Sequence, residues 1–318
     1  MPGAVETGAP TELTPGDTNA IGRMLGLLGD EWNLLIIQQA LLGATRYSQF
    51  MARLPISNSV LTNRLDTLVR DGLLARQVHT STRARTEYLV TPRSASLWPA
   101  LLSIWEWERN WVAEHRAQLP AMRHESCGQQ FTPLLRCADC HAAVAHADVS
   151  LALGPSGAWS RGAPAAATRR RSDSDAVGRQ AGMFPETMSV FGNRWAAALL
   201  VAAFLETTRF TDFQTQLGAP PSLLAERLQT FCAIGVLSTS PADRSSSERS
   251  TYLLTDKGRA LFPVLVAALQ WAQQWFRAPE GPAIELTHRG CGAGFTGELA
   301  CDRCTELLAG AQISVVAR

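Results

Sequence analysis

The sequence contains no run of about 18 apolar residues, so a membrane-spanning helix is not expected. Its first twenty residues are rich in Pro, Gly and Thr, and they lack the basic and apolar segments of a secretory signal. Lysine is almost absent, since Lys257 is the only lysine among the 29 basic residues. Arginine suits phosphate contacts, but a GC-rich genome would give the same excess, and we prefer that explanation. The membrane, collagenous and secreted disulfide-scaffold classes are therefore excluded, and we expect a cytoplasmic chain.

The sequence also lacks the residue patterns of common catalysts. It has no recognisable Ser/His/Asp set, phosphate-cradling glycine loop or nucleotide-binding fingerprint, so an enzyme is not expected. Hydrophobic residues make up 46% of the 318 residues, which is enough for a sizeable core. At roughly 150 residues per domain, this length corresponds to about two domains.

An internal repeat organises the chain. The segments around Trp32 and Phe50 recur around Trp195 and Phe213, 163 residues further on. From Tyr88 onwards the offset is 164 residues, because one single-residue gap falls near positions 80–85. Repeated matches in the same order indicate a duplication, and we call the two halves copy 1 and copy 2. The segment between them, 154–182, is rich in Gly, Pro, Ala, Ser and charge, which predicts a flexible linker.

Copy 1 has the element order of a winged helix-turn-helix. Asp30 is a favourable N-cap and Gly43 a favourable end for the first strongly apolar helix. Pro55 ends a second helix, and Ser57 begins a third. Two short strands at 73–79 and 85–90 and a long helix at 92–118, with a counterpart at 256–277, complete the predicted elements. Two helices joined by a short turn commonly place the second helix in the DNA major groove.

At these residues the sequence resembles the HxlR-type regulators of the MarR-like winged-helix group. In copy 1 the resemblance is carried by Gly29, Trp32, Arg46, Tyr47, Phe50, Ile56, Ser57, Leu61, Thr62, Arg64, Leu65, Asp71, Gly72, Leu73, Leu74, Arg76, Glu87, Tyr88, Thr91 and Trp107. Copy 2 keeps Gly192, Trp195, Arg209, Phe210, Leu224, Arg227, Leu228, Gly235, Tyr252, Leu253, Leu254 and Thr255. The resemblance implies a bacterial transcription regulator that dimerises through its terminal helices. Some members sense oxidants or aldehydes with a cysteine before the first helix, but positions 17–20 contain no cysteine.

The start of the third helix carries the candidates for DNA contact, because the first residues of a recognition helix face the base edges. Asn58 and Asn63 could read adenine, whereas copy 2 has Pro221 and the acidic Glu226 at these positions. We therefore expect copy 1 to dominate base readout; the alternative is that the helix has a merely solvated polar face. The predicted DNA-binding residues are Arg46, Ser57, Asn58, Ser59, Thr62, Asn63, Arg64, Arg83 and Arg85 in copy 1, and Arg209, Ser222, Arg227, Arg244 and Arg249 in copy 2.

Six of the seven cysteines form a pattern that occurs twice. A His-x-x-Cys pair is followed, after nine intervening residues, by a Cys-x-x-Cys pair. Each pair can reach one ion from a tight turn, so the spacing predicts a structural Zn²⁺ site with four protein ligands in each copy. Disulfides or a redox switch are the alternatives. The predicted ligands are His124, Cys127, Cys137 and Cys140 in copy 1, and His288, Cys291, Cys301 and Cys304 in copy 2.

Together these features predict an α+β fold that is mainly α. It consists of two tandem winged helix-turn-helix units, each followed by a small zinc-ribbon-like module. The predicted divisions are a disordered N-terminus 1–17, winged helices at 18–118 and 183–279, modules at 119–153 and 280–318, and the linker 154–182. We expect the two long helices to pair, either within one chain as a pseudo-dimer or between chains as a homodimer.

The function expected from these features is sequence-specific binding of double-stranded DNA by a transcription regulator. The alternative is a zinc-ribbon module that contacts another protein and uses degenerate winged helices as a scaffold. Selection of particular DNA sequences separates the two, because a regulator must show a specificity ratio. The sequence does not reveal an effector.

Overall fold

The computed structural model describes residues 8–79, 85–116, 118–162, 184–192, 194–240 and 251–316. Predicted contacts that involve Arg83, Arg244 or Arg249 lie outside these residues. Among the described residues, none of the helices is both long and apolar enough to cross a membrane.

Copy 1 begins with a short strand and four helices, continues with a two-stranded hairpin and ends in three helical segments. These elements are β1 (Thr11–Glu12), α1 (Ala20–Leu28), α2 (Glu31–Leu41), α3 (Tyr47–Arg53), α4 (Asn58–Arg70), β2 (Leu74–His79), β3 (Arg85–Val90), α5 (Pro92–Ala95), α6 (Trp98–Trp111) and α7 (Ala113–Arg116). Strands and one short helix follow, namely β4 (Met122–His124), β5 (Gln129–Gln130), β6 (Pro133–Cys137), β7 (Val149–Leu153) and α8 (Trp159–Gly162).

Copy 2 repeats this order. Its elements are α9 (Pro185–Phe191), α10 (Arg194–Phe204), α11 (Phe210–Leu217), α12 (Pro221–Ala233), β8 (Leu237–Ser240), β9 (Thr251–Leu254), α13 (Asp256–Arg259), α14 (Phe262–Trp275), β10 (Phe276–Arg277), β11 (Ile284–His288), β12 (Gly297–Cys301) and β13 (Ile313–Val315). Helices α3 and α4, with their counterparts α11 and α12, form the two helix-turn-helix pairs. The hairpins β2–β3 and β8–β9 form the wings.

The predicted caps form as local chemistry requires. Asp30 begins α2 by accepting a hydrogen bond from the backbone N–H of Asn33, and Ser57 begins α4 by accepting one from Val60. Three leucines one helical turn apart, Leu61, Leu65 and Leu68, are fully buried on the inner face of α4. This spacing places the polar residues of α4 on the opposite, exposed face.

The long helix predicted at 92–118 is interrupted, and the structure has α5, α6 and α7 in its place. Thr91 caps the first segment, with its side chain accepting a hydrogen bond from the N–H of Ser94. Pro99 then lies at the start of α6, where it cannot donate the backbone hydrogen bond that would join α6 to the preceding turn. In copy 2, Pro263 begins α14 in the same way.

The two copies pack against each other within the chain. Helix α6 contacts α14, and α1 also packs on α14. One buried polar contact joins the copies near the start of α9. There Glu108, which is fully buried, accepts a hydrogen bond of 2.9 Å from the backbone N–H of Thr187 and lies 2.7 Å from Nδ1 of His115. The long helices therefore meet inside one molecule.

The strands after the long helices also pair across the copies. Strand β6 of copy 1 is antiparallel to β12 of copy 2, β7 pairs with β11, and β4 pairs with β13. The sequence predicts a separate ribbon after each winged helix, but the strands of the two ribbons interlock instead. Pairing across the copies removes exposed strand edges that two small separate ribbons would leave.

Candidate DNA interface and metal-ligand clusters

The exposed face of α4 presents the polar side chains predicted to contact DNA. Asn58, Ser59, Thr62 and Asn63 are all exposed, and Ser57 is exposed at the N-cap. Their spacing places them on the first turns of α4, where a recognition helix presents its base-reading residues. The structure therefore brings these five predicted residues onto one surface.

Tyr47 is a residue on this surface that is not among the predicted DNA-binding residues. Its hydroxyl lies 3.0 Å from the backbone oxygen of Asn58, 3.1 Å from Oδ1 of Asn58 and 3.4 Å from Oγ1 of Thr62. A single hydroxyl from α3 therefore orients the start of α4. The sequence gives one sign of this role. Copy 2 has Phe210 at this position, and phenylalanine cannot make this contact.

The arginines of copy 1 differ in their surroundings. Arg64 forms an ion pair with Asp30 over 2.7 Å, which ties α4 to the start of α2. Arg46 and Arg85 are exposed beside strand β3 of the wing, and both lie within 3.3 Å of Oε1 of Glu87. Arg46 and Arg85 can therefore turn towards a phosphate at little cost, since exposed ion pairs contribute little to stability. A DNA contact by Arg64 would compete with its ion pair.

Copy 2 offers a different surface at the duplicated positions. Proline begins α12, and Ser222 and Glu226 are exposed on its outer face. Arg227 lies 3.4 Å from the carboxylate of Glu226, so its charge is partly neutralised. Arg209 precedes α11 and is exposed. This face holds a serine and an arginine that could contact a phosphate, but it lacks the asparagines of α4.

The eight predicted metal ligands come together in two clusters. We call them the His124 cluster (His124, Cys127, Cys301 and Cys304) and the His288 cluster (Cys137, Cys140, His288 and Cys291). In each cluster the four ligand atoms all lie within 4.8 Å of one another. The prediction that each copy builds its own site is wrong, because each cluster takes a His-x-x-Cys pair from one copy and a Cys-x-x-Cys pair from the other.

Strand pairing explains this exchange. Strand β6 ends in Cys137 and β12 ends in Cys301, and the antiparallel register pairs Cys137 with Gly297 and Cys301 with Pro133. The two Cys-x-x-Cys turns therefore lie at opposite ends of the β6–β12 ladder. At each end, the turn meets the His-x-x-Cys turn of the other copy.

The distances within the clusters fit a tetrahedral ion. With Zn–S bonds of about 2.3 Å and Zn–N bonds of about 2.0 Å, neighbouring ligand atoms should lie about 3.5–3.8 Å apart. In the His124 cluster, Nδ1 of His124 lies 3.6 Å from Sγ of Cys127 and 3.3 Å from Sγ of Cys304, and Sγ of Cys127 and Cys301 are 4.0 Å apart. The donors are thus already gathered at the separation that one ion requires.

The His288 cluster has the same geometry. Nδ1 of His288 lies 3.4 Å from Sγ of Cys140 and 3.2 Å from Sγ of Cys291. Gly292 follows the second ligand of its turn with φ +74°, as Gly128 does in the other cluster with φ +70°. This left-handed conformation suits glycine and lets the turn fold back on its own thiolate.

The thiols of the His124 cluster influence one another's protonation. A backbone hydrogen bond from Gln129 lowers the pKa of Cys127. Despite a backbone hydrogen bond from Glu306, burial and the thiols of Cys301 and Cys127 raise the pKa of Cys304 to about 11. The thiol of Cys304 therefore keeps its proton near neutral pH, and binding of a metal ion to its thiolate would release that proton.

These elements define a helix-turn-helix protein with two copies of the DNA-binding unit and two Cys/His clusters that could hold a metal ion. Comparison with known families shows that the chain belongs to the HxlR-like helix-turn-helix family, which it matches over residues 27–116 and 190–280. The matched regions cover more than half of the chain, one in each copy. The resemblance seen in the sequence is therefore confirmed, and the protein is a tandem HxlR-type DNA-binding regulator.

Similar proteins correspond to about one copy. An uncharacterized HTH-type transcriptional regulator of Mycobacterium bovis is 34% identical over 136 residues, which cover 43% of this chain and 81% of that protein. The HTH-type transcriptional regulator YvaP of Bacillus subtilis is 35% identical over 91 residues, which cover 28% of this chain and 84% of YvaP. The crystal structure of PA1607, a proposed transcription factor, is 36% identical with a TM-score of 0.37 and covers 41% of this chain and 90% of PA1607.

Proposed function

We propose that the protein binds specific sites on double-stranded DNA as a cytoplasmic transcription regulator, and that copy 1 makes most of the base contacts. The observation that carries this proposal is the exposed polar start of α4, with Asn58 held by the hydroxyl of Tyr47. Asparagine offers a donor and an acceptor together, as adenine reading in the major groove requires. The start of α12 lacks asparagine at the matching positions.

The role proposed for copy 2 is to hold the DNA backbone and to support copy 1. Arg209 and Ser222 are exposed and could each contact a phosphate. Glu226 would face the same phosphates with a negative charge, which weakens binding. The predicted contacts of the wings, through Arg83, Arg244 and Arg249, are part of the same proposal.

Each cluster is proposed to hold one structural Zn²⁺ ion. Three thiolates and one imidazole nitrogen form a donor set that zinc prefers, and four protein ligands leave no open position for catalysis. The ions would join the interlocked ribbons behind the two winged helices. The domain divisions predicted from the sequence stand as part of this proposal, with three changes. Strand β1 lies within the predicted disordered N-terminus 1–17, and α8 lies within the predicted linker 154–182. The ribbons at 119–153 and 280–318 form a single unit.

Capture of sheared genomic DNA tests the DNA proposal. Purified full-length protein is incubated with the fragments at about physiological salt, and the retained DNA is sequenced. We expect a few enriched sites, and we expect Asn58→Ala with Asn63→Ala to weaken binding to them by about 1–3 kcal/mol per lost base contact. Equal retention of all sequences would contradict specific readout and favour the protein-interaction alternative. Unchanged affinity of the double variant would show that Asn58 and Asn63 of copy 1 do not make the base contacts.

A further inference from the structure

The His124 and His288 clusters each contain one histidine and three cysteines, but their surroundings differ. Two side-chain hydrogen bonds brace the His124 cluster. Oδ1 of Asp302 accepts a hydrogen bond of 2.8 Å from the backbone N–H of Thr132, and Nη1 of Arg136 donates one of 2.9 Å to the backbone oxygen of Thr305. Both hold the turn that contains Cys301 and Cys304 against copy 1.

The His288 cluster lacks both braces because of two residue changes between the copies. The residue that corresponds to Asp302 is Ala138, and the residue that corresponds to Arg136 is Ala300. An alanine side chain has no polar atom, so neither contact can form around the turn of Cys137 and Cys140. Outer contacts of this kind orient metal ligands and increase affinity.

The cysteines of the His288 cluster are also more exposed than those of the His124 cluster. Cys140 and Cys291 of the His288 cluster are exposed, whereas the corresponding Cys304 and Cys127 of the His124 cluster are only partly accessible. A chelator or a competing thiol can therefore approach the His288 cluster more directly. Weaker bracing and easier approach both favour faster loss of the ion from this cluster.

The His288 cluster is nevertheless firmly connected to the long helix α14. Gln270 on α14 bonds both backbone groups of Gly297, which is the register partner of Cys137. Gln273, also on α14, accepts hydrogen bonds from the N–H groups of Ala283 and Ile284 at the start of the strand that ends in His288. The residues that correspond to Gln270 and Gly297 around the His124 cluster are Glu106 and Pro133, and proline cannot donate.

From α14, hydrogen bonds continue to the recognition helix of copy 1. Nε1 of Trp271 donates to the backbone oxygen of Arg93 over 2.7 Å. Nη1 of Arg93 in turn donates to the backbone oxygen of Asp71, the C-cap of α4, over 2.9 Å. A continuous set of contacts thus joins the His288 cluster, α14 and the end of α4.

We propose that the His288 cluster is an exchangeable zinc site that regulates DNA binding, while the His124 cluster retains its ion and serves structure. This inference rests on the proposed DNA-binding function. With the ion bound, the two halves of the His288 cluster hold α14 in the position that supports α4. When the ion leaves, the copies are joined less firmly at this end, and the affinity for DNA falls.

The test begins with full-length protein loaded with two Zn²⁺ per chain. Release is followed with a chromogenic zinc chelator, and the remaining zinc is counted by mass spectrometry after desalting. We expect two phases whose rates differ by about tenfold or more. The fast phase should be missing in Cys140→Ser and present in Cys127→Ser. Loss of the first ion should weaken binding to an enriched DNA site by about tenfold, and added Zn²⁺ should restore it.

A variant that keeps all ligands covers the case in which a cysteine variant fails to fold. Ala138→Asp introduces the missing brace, because Thr296 offers the backbone N–H that corresponds to Thr132. This change should slow the fast phase, and Asp302→Ala should speed the slow phase. Simultaneous release of both ions, or a fast phase that disappears in Cys127→Ser, would overturn the assignment. Unchanged DNA affinity after loss of the first ion would overturn the regulatory role.

Failure of the DNA-binding proposal would be visible separately. If the fully loaded protein selects no DNA sequence, the proposed function fails while the release order still decides which site exchanges. In that case hydrogen exchange of the Trp271 indole N–H, followed by NMR, decides whether the first ion supports α14. Faster exchange after its loss supports the connection, and unchanged exchange contradicts it.

Discussion

The indole N–H of Trp271 in copy 2 donates a hydrogen bond to the backbone oxygen of Arg93 in copy 1, over 2.7 Å. The duplicated pair makes the reverse contact, since Trp107 of copy 1 donates to the backbone oxygen of Lys257 in copy 2 over 3.0 Å. The guanidinium of Arg93 also lies 5.2 Å from the ring centre of Trp275. Each of these two tryptophans therefore joins the long helix of one copy to the short helix that follows the wing of the other copy.

Replacing Trp271 with phenylalanine should destabilise the protein. The side chain is 2% exposed. The change removes one of two donors to the carbonyl of Arg93, which keeps only the hydroxyl of Ser96, at a cost of about 0.5–1.5 kcal/mol for the lost hydrogen bond. Urea unfolding of the zinc-loaded protein measures the loss. Trp111→Phe is the control, because Trp111 lies at the surface with 39% exposure and should change stability by less than about 0.5 kcal/mol. Equal stability of the two variants would contradict a structural role for the bond.

Zinc counting can establish which ligands share an ion. The variant with Cys127→Ala and Cys301→Ala removes two ligands from the His124 cluster and leaves the other cluster complete. It should retain one tightly bound zinc per chain. The variant with Cys127→Ala and Cys137→Ala damages both clusters and should retain none, since zinc sites of this kind need four ligands. If each copy bound its own ion, the two results would be exchanged.

The serines of the two recognition helices provide a matched test of asymmetry in DNA reading. Ser59 on α4 and Ser222 on α12 occupy duplicated positions, and both are exposed. Ser59→Ala should reduce the ratio of specific to non-specific DNA affinity, because Ser59 lies among the residues of α4 that are proposed to contact bases. Ser222→Ala should lower affinity for all sequences about equally, as loss of a phosphate contact does. Fluorescence anisotropy with specific and scrambled duplexes distinguishes the two effects. Identical behaviour of the variants would indicate that the copies read DNA equally.

His146 should make stability depend on pH. Its ring packs between Phe204 and Phe262 of copy 2, and this burial, assisted by the positive charges of Arg259 and Arg289 against the opposing Glu206, lowers its pKa. The unfolded chain therefore takes up a proton near the usual pKa of about 6.5 while the folded protein resists it, so this contribution to stability declines as the pH falls below about 7.

His146→Gln should reduce this dependence. The free energy of unfolding of the zinc-loaded protein is compared at pH 7.5 and pH 5.5, and the wild type should lose more stability than the variant over this interval. Protonation of the metal ligands affects both proteins alike, so the difference between them reports on His146. An equal loss in both would show that the ring titrates as it does in the unfolded chain.

Local patterns in the sequence predict the local structure well. Asp30, Ser57 and Thr91 cap the helices that follow them, because capping depends on a side chain and a backbone N–H only three residues apart. The spacing of leucines on α4 likewise identifies its buried face, since helical periodicity is a property of consecutive residues. The eight residues of the His124 and His288 clusters are also picked out, because each half of a cluster is a short motif.

The assembly of the ligands could not be predicted in this way. The two copies have the same ligand motifs with the same spacing, so pairing within a copy and pairing between copies use identical chemistry. The choice depends on β6 joining β12, a contact between residues more than 150 positions apart. The ion pair of Arg64 with Asp30 is similar, since it depends on how α4 crosses the start of α2.

The joining of two unequal copies in one chain has a consequence for the operator. Two identical subunits present the same reading surface twice, so they favour palindromic sites whose half-sites are related by twofold symmetry. Here one recognition helix begins with Asn58 and the other with Pro221. Covalent fusion fixes one of each in every molecule, so the half-sites are free to differ. A non-palindromic site, bound in a single orientation, would give the regulator a direction along the DNA.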